Sequence, residues 1–136
     1  MRLSREHKAW IERELYDYEF NKRELAEWKV DRAYNQLERD YGEKPEGNKK
    51  KGGSTTERAC IEIISNRVMS RLTRTLEAID NMKSGLSKEE KKFFDVFYRQ
   101  AKSWQRTCIE IGIGKSTCYR WRDKIIKKTA EELGII

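Results

Sequence analysis

Histidine, proline and cysteine are scarce in this sequence. Its 136 residues include one histidine, His7, one proline, Pro45, and three cysteines that form no Cys-x-x-Cys pair. This argues against a zinc site, and we expect the cysteines to pack as small apolar side chains. No phosphate-binding Gly-x-x-x-x-Gly-Lys-[Ser/Thr] loop is present, and no histidine has a suitable partner. The sequence therefore predicts neither an enzyme nor a bound cofactor.

Long apolar runs are also missing. No stretch of 18 apolar residues occurs, and the first residues, Met-Arg-Leu-Ser-Arg-Glu-His-Lys, are charged where a secretion signal would be apolar. We therefore expect no contact with a membrane and a cytoplasmic location.

Charged residues are abundant instead. They make up 39% of the chain, against 37% apolar residues, and the mean hydropathy is −0.96. Such a chain buries its few apolar residues on one face of amphipathic helices, and its many Glu, Lys, Arg and Leu residues favour helix, so we predict an all-α fold. The net charge is +7, and residues 84–136 hold 12 basic and 7 acidic residues. This basic C-terminal part favours a nucleic acid partner.

Three regions follow from the pattern along the chain. Residues 1–41 show helical spacing of apolar residues, interrupted at 16–21, which predicts two helices with Asn21 capping the second. Residues 42–53 contain four of the eight glycines, the proline and three consecutive lysines, and form a predicted flexible basic linker. These lysines are either solvated or in contact with phosphates. Residues 54–136 form a predicted helical core.

The predicted core begins with two helix-capping motifs. Ser54-x-x-Glu57 begins a long helix that ends near Gly85 in a left-handed conformation, and Ser87-x-x-Glu90 begins the next. Four aromatic residues follow and belong to the core or to an interface: Phe93, Phe94, Phe97 and Tyr98.

A helix-turn-helix is predicted at about residues 103–133. Ser103 begins a short helix that stops at Gly112, and Gly114 begins a second helix that runs to Leu133. At about 100° per residue, the apolar residues of the second helix face the body and its polar residues face outward. The residues predicted to contact DNA are Lys115, Ser116, Thr117, Tyr119, Arg120, Lys124 and Lys127. Asp123 either accepts a hydrogen bond from cytosine or pairs with Lys127.

Several segments together resemble the RinA/ArpU-type phage late transcription regulators, whose C-terminal half is similar to region 4 of sigma factors. They are Glu12-Arg-Glu-Leu-Tyr-Asp-Tyr18, Glu90-Lys-Lys-Phe-Phe-Asp-Val-Phe-Tyr98, Cys108-Ile-Glu-Ile-Gly-Ile-Gly-Lys-Ser-Thr-Cys-Tyr-Arg120, Ile125-Ile126 and Ala130-Glu-Glu-Leu-Gly134. Ser116, Thr117 and Arg120 match the hydroxyl-rich start of that family's recognition helix, whereas Gly114 stands where serine is common. The resemblance implies a phage or prophage protein in a bacterial cell that binds a promoter region in double-stranded DNA and activates packaging and structural genes.

Other functions remain open at this point. A small subunit of a phage DNA-packaging machine also combines a helix-turn-helix with an oligomerising helical part, and a helical adaptor would bind a protein and no DNA. We also expect the aromatic stripe of residues 2–41 to mediate either self-association into a homo-oligomer or contact with RNA polymerase.

Overall fold

The computed structural model describes residues 3–41 and 55–136, and every regular element in these ranges is helical. The predicted all-α fold is therefore confirmed. The helices are α1 (Arg5–Tyr16), α2 (Tyr18–Tyr41), α3 (Thr55–Ser84), α4 (Lys88–Phe94), α5 (Trp104–Ile111) and α6 (Lys115–Leu133), with a π-helical turn at Asp95–Arg99 after α4.

The first two helices meet where the sequence predicts a break. Ser4 caps α1 by accepting a hydrogen bond from the backbone N–H of His7 at 3.1 Å, and α1 ends at Asp17. The predicted N-cap at Asn21 is wrong. The backbone N–H of Asn21 donates to the carbonyl oxygen of Asp17 at 2.8 Å, because the chain re-enters helix directly after Asp17 and Asn21 already lies inside α2.

The third helix ends at the predicted place but not in the predicted conformation. The predicted linker and the serine of the Ser54–Glu57 motif lie outside the described residues. At the other end α3 stops at Ser84, as expected, but Gly85 does not adopt a left-handed conformation. The backbone N–H groups of Gly85 and Leu86 instead donate to the carbonyl oxygens of Met82 and Lys83, both at 3.1 Å. The helix therefore ends in a tightened last turn.

Helices α2 and α3 lie side by side and run antiparallel. The hydroxyl group of Tyr18 donates a hydrogen bond to Asp80, and Arg32 donates to Asn66 at 2.9 Å. In both pairs the residue numbers add up to 98, so each step forward along α2 matches one step back along α3. The two helices thus form a long hairpin whose base joins the body of the protein.

The aromatic residues after α4 lie in the core, as expected. Phe93, Phe94, Phe97 and Tyr98 are all at most 6% exposed, and the rings of Phe93 and Phe97 stack with their centroids 5.3 Å apart. Ser87 and Glu90 form the predicted reciprocal cap of α4. One core joins both ends of the chain, because Ile11 and Leu15 belong to the same hydrophobic cluster as Ile125 and Ile126.

The cysteines fit the expectation only in part. Cys118 is buried and Cys108 is half-buried, but Cys60 is exposed on α3, where the body no longer covers the helix. Burial is the largest cause that raises the pKa of Cys118, to about 11, so this thiol stays protonated near neutral pH. In residues 3–41 and 55–136 no three His, Cys, Asp or Glu side chains are grouped to hold a metal ion.

None of the helices in the described part of the chain has the length and apolarity that crossing a lipid bilayer requires.

Candidate nucleic-acid interface

Helix α5 is fixed at its start by short-range hydrogen bonds. The Ser103 side chain accepts a hydrogen bond from the backbone N–H of Arg106 at 3.3 Å and so caps the helix. The hydroxyl group of Thr107, which is fully buried, donates to the carbonyl oxygen of Ser103 at 2.8 Å. The predicted start of this helix is confirmed.

The turn between α5 and α6 uses two glycines in different ways. Gly112 ends α5 with φ 80° and ψ 41°, in the left-handed region that favours glycine. The backbone N–H groups of Gly112 and Ile113 both donate to the carbonyl oxygen of Cys108, at 2.8 and 3.0 Å. Gly114 is extended, with φ −84° and ψ 168°, and offers α6 no side-chain cap. The turn is therefore three residues long.

The inner face of α6 holds the helix to the body. Cys118, Ile125, Ile126 and Ala130 are at most 5% exposed. The hydroxyl group of Thr129, also buried, donates to the carbonyl oxygen of Ile125 at 2.8 Å. The side predicted to face the body does so, and the opposite side of α6 is left free.

A two-pronged ion pair joins α6 to α1. Arg122 donates from Nε and Nη2 to the two carboxylate oxygens of Glu12, at 2.6 and 2.7 Å. This hydrogen bonding is the largest cause that raises the pKa of Arg122. The hydroxyl group of Tyr98 lies 3.5 Å from the same carboxylate, and burial raises the pKa of Tyr98 well above its ordinary value. The paired guanidinium holds the helix and is not available on the outer face.

The outer face of α6 carries the residues predicted to contact DNA. Exposed there are Lys115, Ser116, Tyr119, Arg120, Lys124 and Lys127, and Thr117 is half-buried. Asp123 is also exposed, and among the described residues no ion pair joins it to Lys127. Residues 103–128 contain seven Lys and Arg against two Asp and Glu. This balance gives the α5–α6 surface a positive field that attracts phosphates.

Lys115 lies over two aromatic rings at the start of α6. Its Nζ atom is 5.1 Å from the centroid of the Trp104 ring and 5.9 Å from that of Tyr119. The two rings are themselves 6.0 Å apart. Aromatic faces attract cations, so this contact restricts the lysine head group and places its charge beside the N-terminus of α6.

Lys124 has a protein partner. Its Nζ atom lies 2.7 Å from Oε2 of Glu90, the residue that also caps α4. Burial alone would raise the pKa of Glu90, but the hydrogen bonds from Lys124 and Ser87 outweigh it and the pKa is lowered. The charge of Lys124 is thereby largely balanced within the protein, whereas Arg120 and Lys127 have no such partner among the described residues.

A model of the family described as "Protein of unknown function (DUF722)" matches residues 33–131, which is most of the chain. The chain belongs to this family. The matched range includes the last nine residues of α2, the whole of α3, α4 and α5, and all but the last two residues of α6, so the DUF722 region extends well beyond the candidate interface.

One relative with an assigned role is a phage protein. The "Transcriptional activator rinA" of Staphylococcus phage phi11 is 30% identical to the chain over 81 residues, which cover 60% of this chain and 58% of the phage protein. The match thus spans less than two thirds of that relative. The predicted resemblance to RinA-type phage regulators is confirmed. No solved structure matches the chain significantly.

Sequence reasoning identified the face of α6 but not its contacts with other elements. Neither Trp104 nor Glu90 was predicted to contact this face, yet they contact Lys115 and Lys124 respectively. Helical spacing describes one helix at a time and carries no signal for such pairs. Arg106 is a further exposed cation, on α5, that the predicted set did not include.

Proposed function

We propose that this DUF722 protein is a sequence-specific, double-stranded DNA-binding transcription regulator that reads DNA with α5 and α6 as a helix-turn-helix. The observation that carries the proposal is the division of α6 into a buried apolar face and an exposed face with Lys115, Arg120 and Lys127. The name of the phage relative supports a role in transcription. We further propose that this protein activates late phage genes, as the resemblance to the RinA/ArpU-type regulators implies, with RNA polymerase as a second partner.

In this proposal the N-terminal half of α6 enters the major groove. Arg120 has a planar guanidinium that can donate two hydrogen bonds to one guanine, while Ser116 and Thr117 offer hydroxyl groups to phosphates or base edges. Lys115 and Lys127 neutralise phosphates on either side. Arg106 on α5 would contact the backbone, because the first helix of such a pair crosses it.

The test is a binding titration of the purified full chain against randomised duplex DNA at several salt concentrations, followed by sequencing of the bound fraction. We expect one enriched motif and an affinity that falls steeply with salt. Tight binding without enrichment would contradict sequence-specific reading and favour a DNA-packaging role. No binding at low salt would contradict the proposal altogether and favour a helical adaptor.

A pair of matched variants separates the α6 surface from general positive charge. The first changes Lys115, Arg120 and Lys127 to Gln. The control changes Arg23, Lys29 and Arg39 to Gln, which removes the same charge from exposed positions on α2. We expect the first variant to lose binding and the control to keep most of it. Equal losses would contradict the assignment of the interface to α6.

Placing the enriched motif upstream of a reporter gene tests the regulatory part of the proposal. We expect more transcript when the protein is present. Repression of the reporter would overturn the activator assignment while leaving DNA binding intact.

A further inference from the structure

The far end of the α2–α3 hairpin exposes apolar side chains in two stripes. The α2 stripe consists of Val30, Tyr34, Leu37 and Tyr41, which are 67%, 62%, 56% and 84% exposed. The α3 stripe consists of Ile61, Ile64 and Val68, which are 63%, 60% and 52% exposed. Isolated exposed apolar residues are ordinary, but contiguous stripes of this kind mark an interaction surface.

The spacing of both stripes is that of a helix–helix seam. Residues in the α2 stripe follow one another at intervals of four, three and four, and those in the α3 stripe at intervals of three and four. Alternation of three and four is the pattern with which two helices pack along their length. The α3 stripe also continues the line of Leu72 and Ile79, which pack into the core nearer the base of the hairpin.

Neither stripe is covered by the hairpin itself. Arg32 and Asn66 mark the sides on which α2 and α3 face each other. At about 100° per residue, the members of each stripe lie roughly 140–220° around their helix from that contact. Ile61, at the edge of its stripe, also lines the groove between the two helices but remains 63% exposed. Residues 42–54, which connect the two helices, have no apolar side chain except Pro45. The chain therefore has nothing in its own connecting segment with which to bury the stripes.

The charges beside the stripes differ in sign. Viewed from the N-terminus of each helix, Glu27 and Asp31 lie clockwise of the α2 stripe, and Arg67 and Arg71 lie anticlockwise of the α3 stripe. All four are exposed, and none has an ion pair among the described residues. An antiparallel pairing of α2 with α2, or of α3 with α3, would bring like charges together. A parallel pairing would place each charged flank against the other flank of its partner, which holds Ala26 and Ala33 on α2 and Ser65 and Leu72 on α3. An α2 stripe against an α3 stripe brings opposite charges together.

From this complementarity we infer that each stripe is covered by another copy of this chain, with α2 of one copy packed along α3 of the next. The acidic flank of α2 and the basic flank of α3 lie on the same side of the seam only when these two helices run parallel. Because α2 and α3 are antiparallel within each copy, the hairpins of the two copies then point in opposite directions. A stable interface buries about 800 Å² on each partner. Each seam takes the four residues of the α2 stripe from one copy and the three of the α3 stripe from the other, and the exposed charged flanks beside them supply the rest of that area.

Light scattering on the full chain without DNA tests this inference independently of the proposed function. We expect an assembly of at least two copies at about 50 µM that becomes monomeric with Leu37→Glu or with Ile64→Glu. The matched control is Ile109→Glu, which changes an apolar residue that is 83% exposed on α5. Circular dichroism checks that all three variants stay folded, as their exposure leads us to expect. A monomeric wild-type chain, or an assembly that both stripe variants leave intact, overturns the inference.

Charge reversal tests which helices meet. We expect Glu27→Arg with Asp31→Arg to raise the dissociation constant severalfold, and Arg67→Glu with Arg71→Glu to do the same, because each leaves like charges across the seam. Combining all four changes should restore the affinity, since the two flanks are then opposite in sign again. If the combined variant associates more weakly than either parent, the arrangement of α2 against α3 is wrong.

Discussion

Arg120 and Lys127 lie on the same exposed side of α6, seven residues and hence about 10 Å apart, yet their side chains offer different chemistry. A guanidinium can satisfy two acceptors on one base, whereas an ammonium acts as a point charge. The proposed function therefore assigns base reading to the first and phosphate contact to the second.

We expect Arg120→Ala to weaken binding to the preferred DNA sequence by about 1–3 kcal/mol and to relax the preference at one base position. Lys127→Ala should weaken binding to preferred and random DNA equally and lower the salt slope by about 1. Fluorescence titrations of both variants against both DNAs measure these differences. Equal losses on the two DNAs for Arg120→Ala would make that residue a phosphate contact instead.

The sequence predicts which side chains of α6 are exposed better than it predicts which of them are free to contact DNA, and the polar contacts of single residues explain why. Lys124 and Lys127 are both exposed lysines on α6, and only the position of Glu90 on another helix distinguishes them. Which side chains pair between helices depends on how the helices pack. The spacing of residues along one helix gives no information about that packing. Arg122 is the opposite case, because its place among the apolar residues of α6 already indicates the body side.

At the scale of the elements, the turn between α5 and α6 contains two glycines whose backbone conformations differ. Gly112 needs a positive φ, whereas Gly114 has an extended conformation open to any residue. An added Cβ atom would meet no heavy atom within 4 Å at either position. The effect of a substitution is therefore decided by the backbone and not by crowding.

We expect Gly112→Ala to destabilise the protein by about 1 kcal/mol, because alanine is strained in the left-handed region. Gly114→Ser should stabilise it by roughly 0.5 kcal/mol, because serine supplies the missing cap of α6 and restricts the unfolded chain. Urea unfolding of the two variants measures both changes. Effects of the same sign would contradict the roles assigned to the two glycines.

The cap of α4, which includes Glu90, makes the stability of the protein depend on pH in the acidic range. The hydrogen bonds from Lys124 and Ser87 hold the pKa of Glu90 below its ordinary value of 4.5 despite burial. A carboxyl group whose pKa is lowered by folding stabilises the folded state above its unfolded pKa. That contribution is lost as the pH falls through the lowered folded value.

We expect Glu90→Gln to lower the free energy of unfolding by about 1 kcal/mol at pH 7. The difference from the wild type should begin to shrink as the pH falls below the ordinary value of 4.5, and it should disappear once the pH is below the lowered pKa of the folded protein. Glu89→Gln is the matched control, since Glu89 is an exposed neighbour in the same turn. Urea unfolding at pH 7 and pH 3.5 provides the measurement, and a difference that does not change with pH would contradict the role of the charge.

At the scale of the whole molecule, the helices were predictable and their assembly was not. The breaks at residues 16–21, near Gly85 and at 112–114 follow from local propensity, so α1 to α6 were all expected. The sequence was divided into residues 1–41 and 54–136, and this division stays a prediction. The shared cluster of Ile11, Leu15, Ile125 and Ile126 arises from packing between distant segments, for which periodicity gives no signal.

The ion pair of Glu12 with Arg122 allows the contribution of the contact between α1 and α6 to stability to be measured. We expect Glu12→Gln to lower the free energy of unfolding by about 1 kcal/mol, a modest value because the arginine side chain is 35% exposed and partly screened by water. Glu6→Gln, an exposed change on the same helix, should have no comparable effect. Urea unfolding of both variants tests this, and equal losses would mean that the contact between α1 and α6 adds little.

The same ion pair connects residues that the ribosome adds 110 positions apart. Because Glu12 is synthesised 110 residues before Arg122, α1 cannot reach its final packing until α6 has left the ribosome. Contacts this distant in sequence close slowly and late in folding. A nascent or truncated chain without α6 would therefore expose the apolar side of α1. Premature termination would then yield a chain that proteases and chaperones recognise, and not a partly active protein.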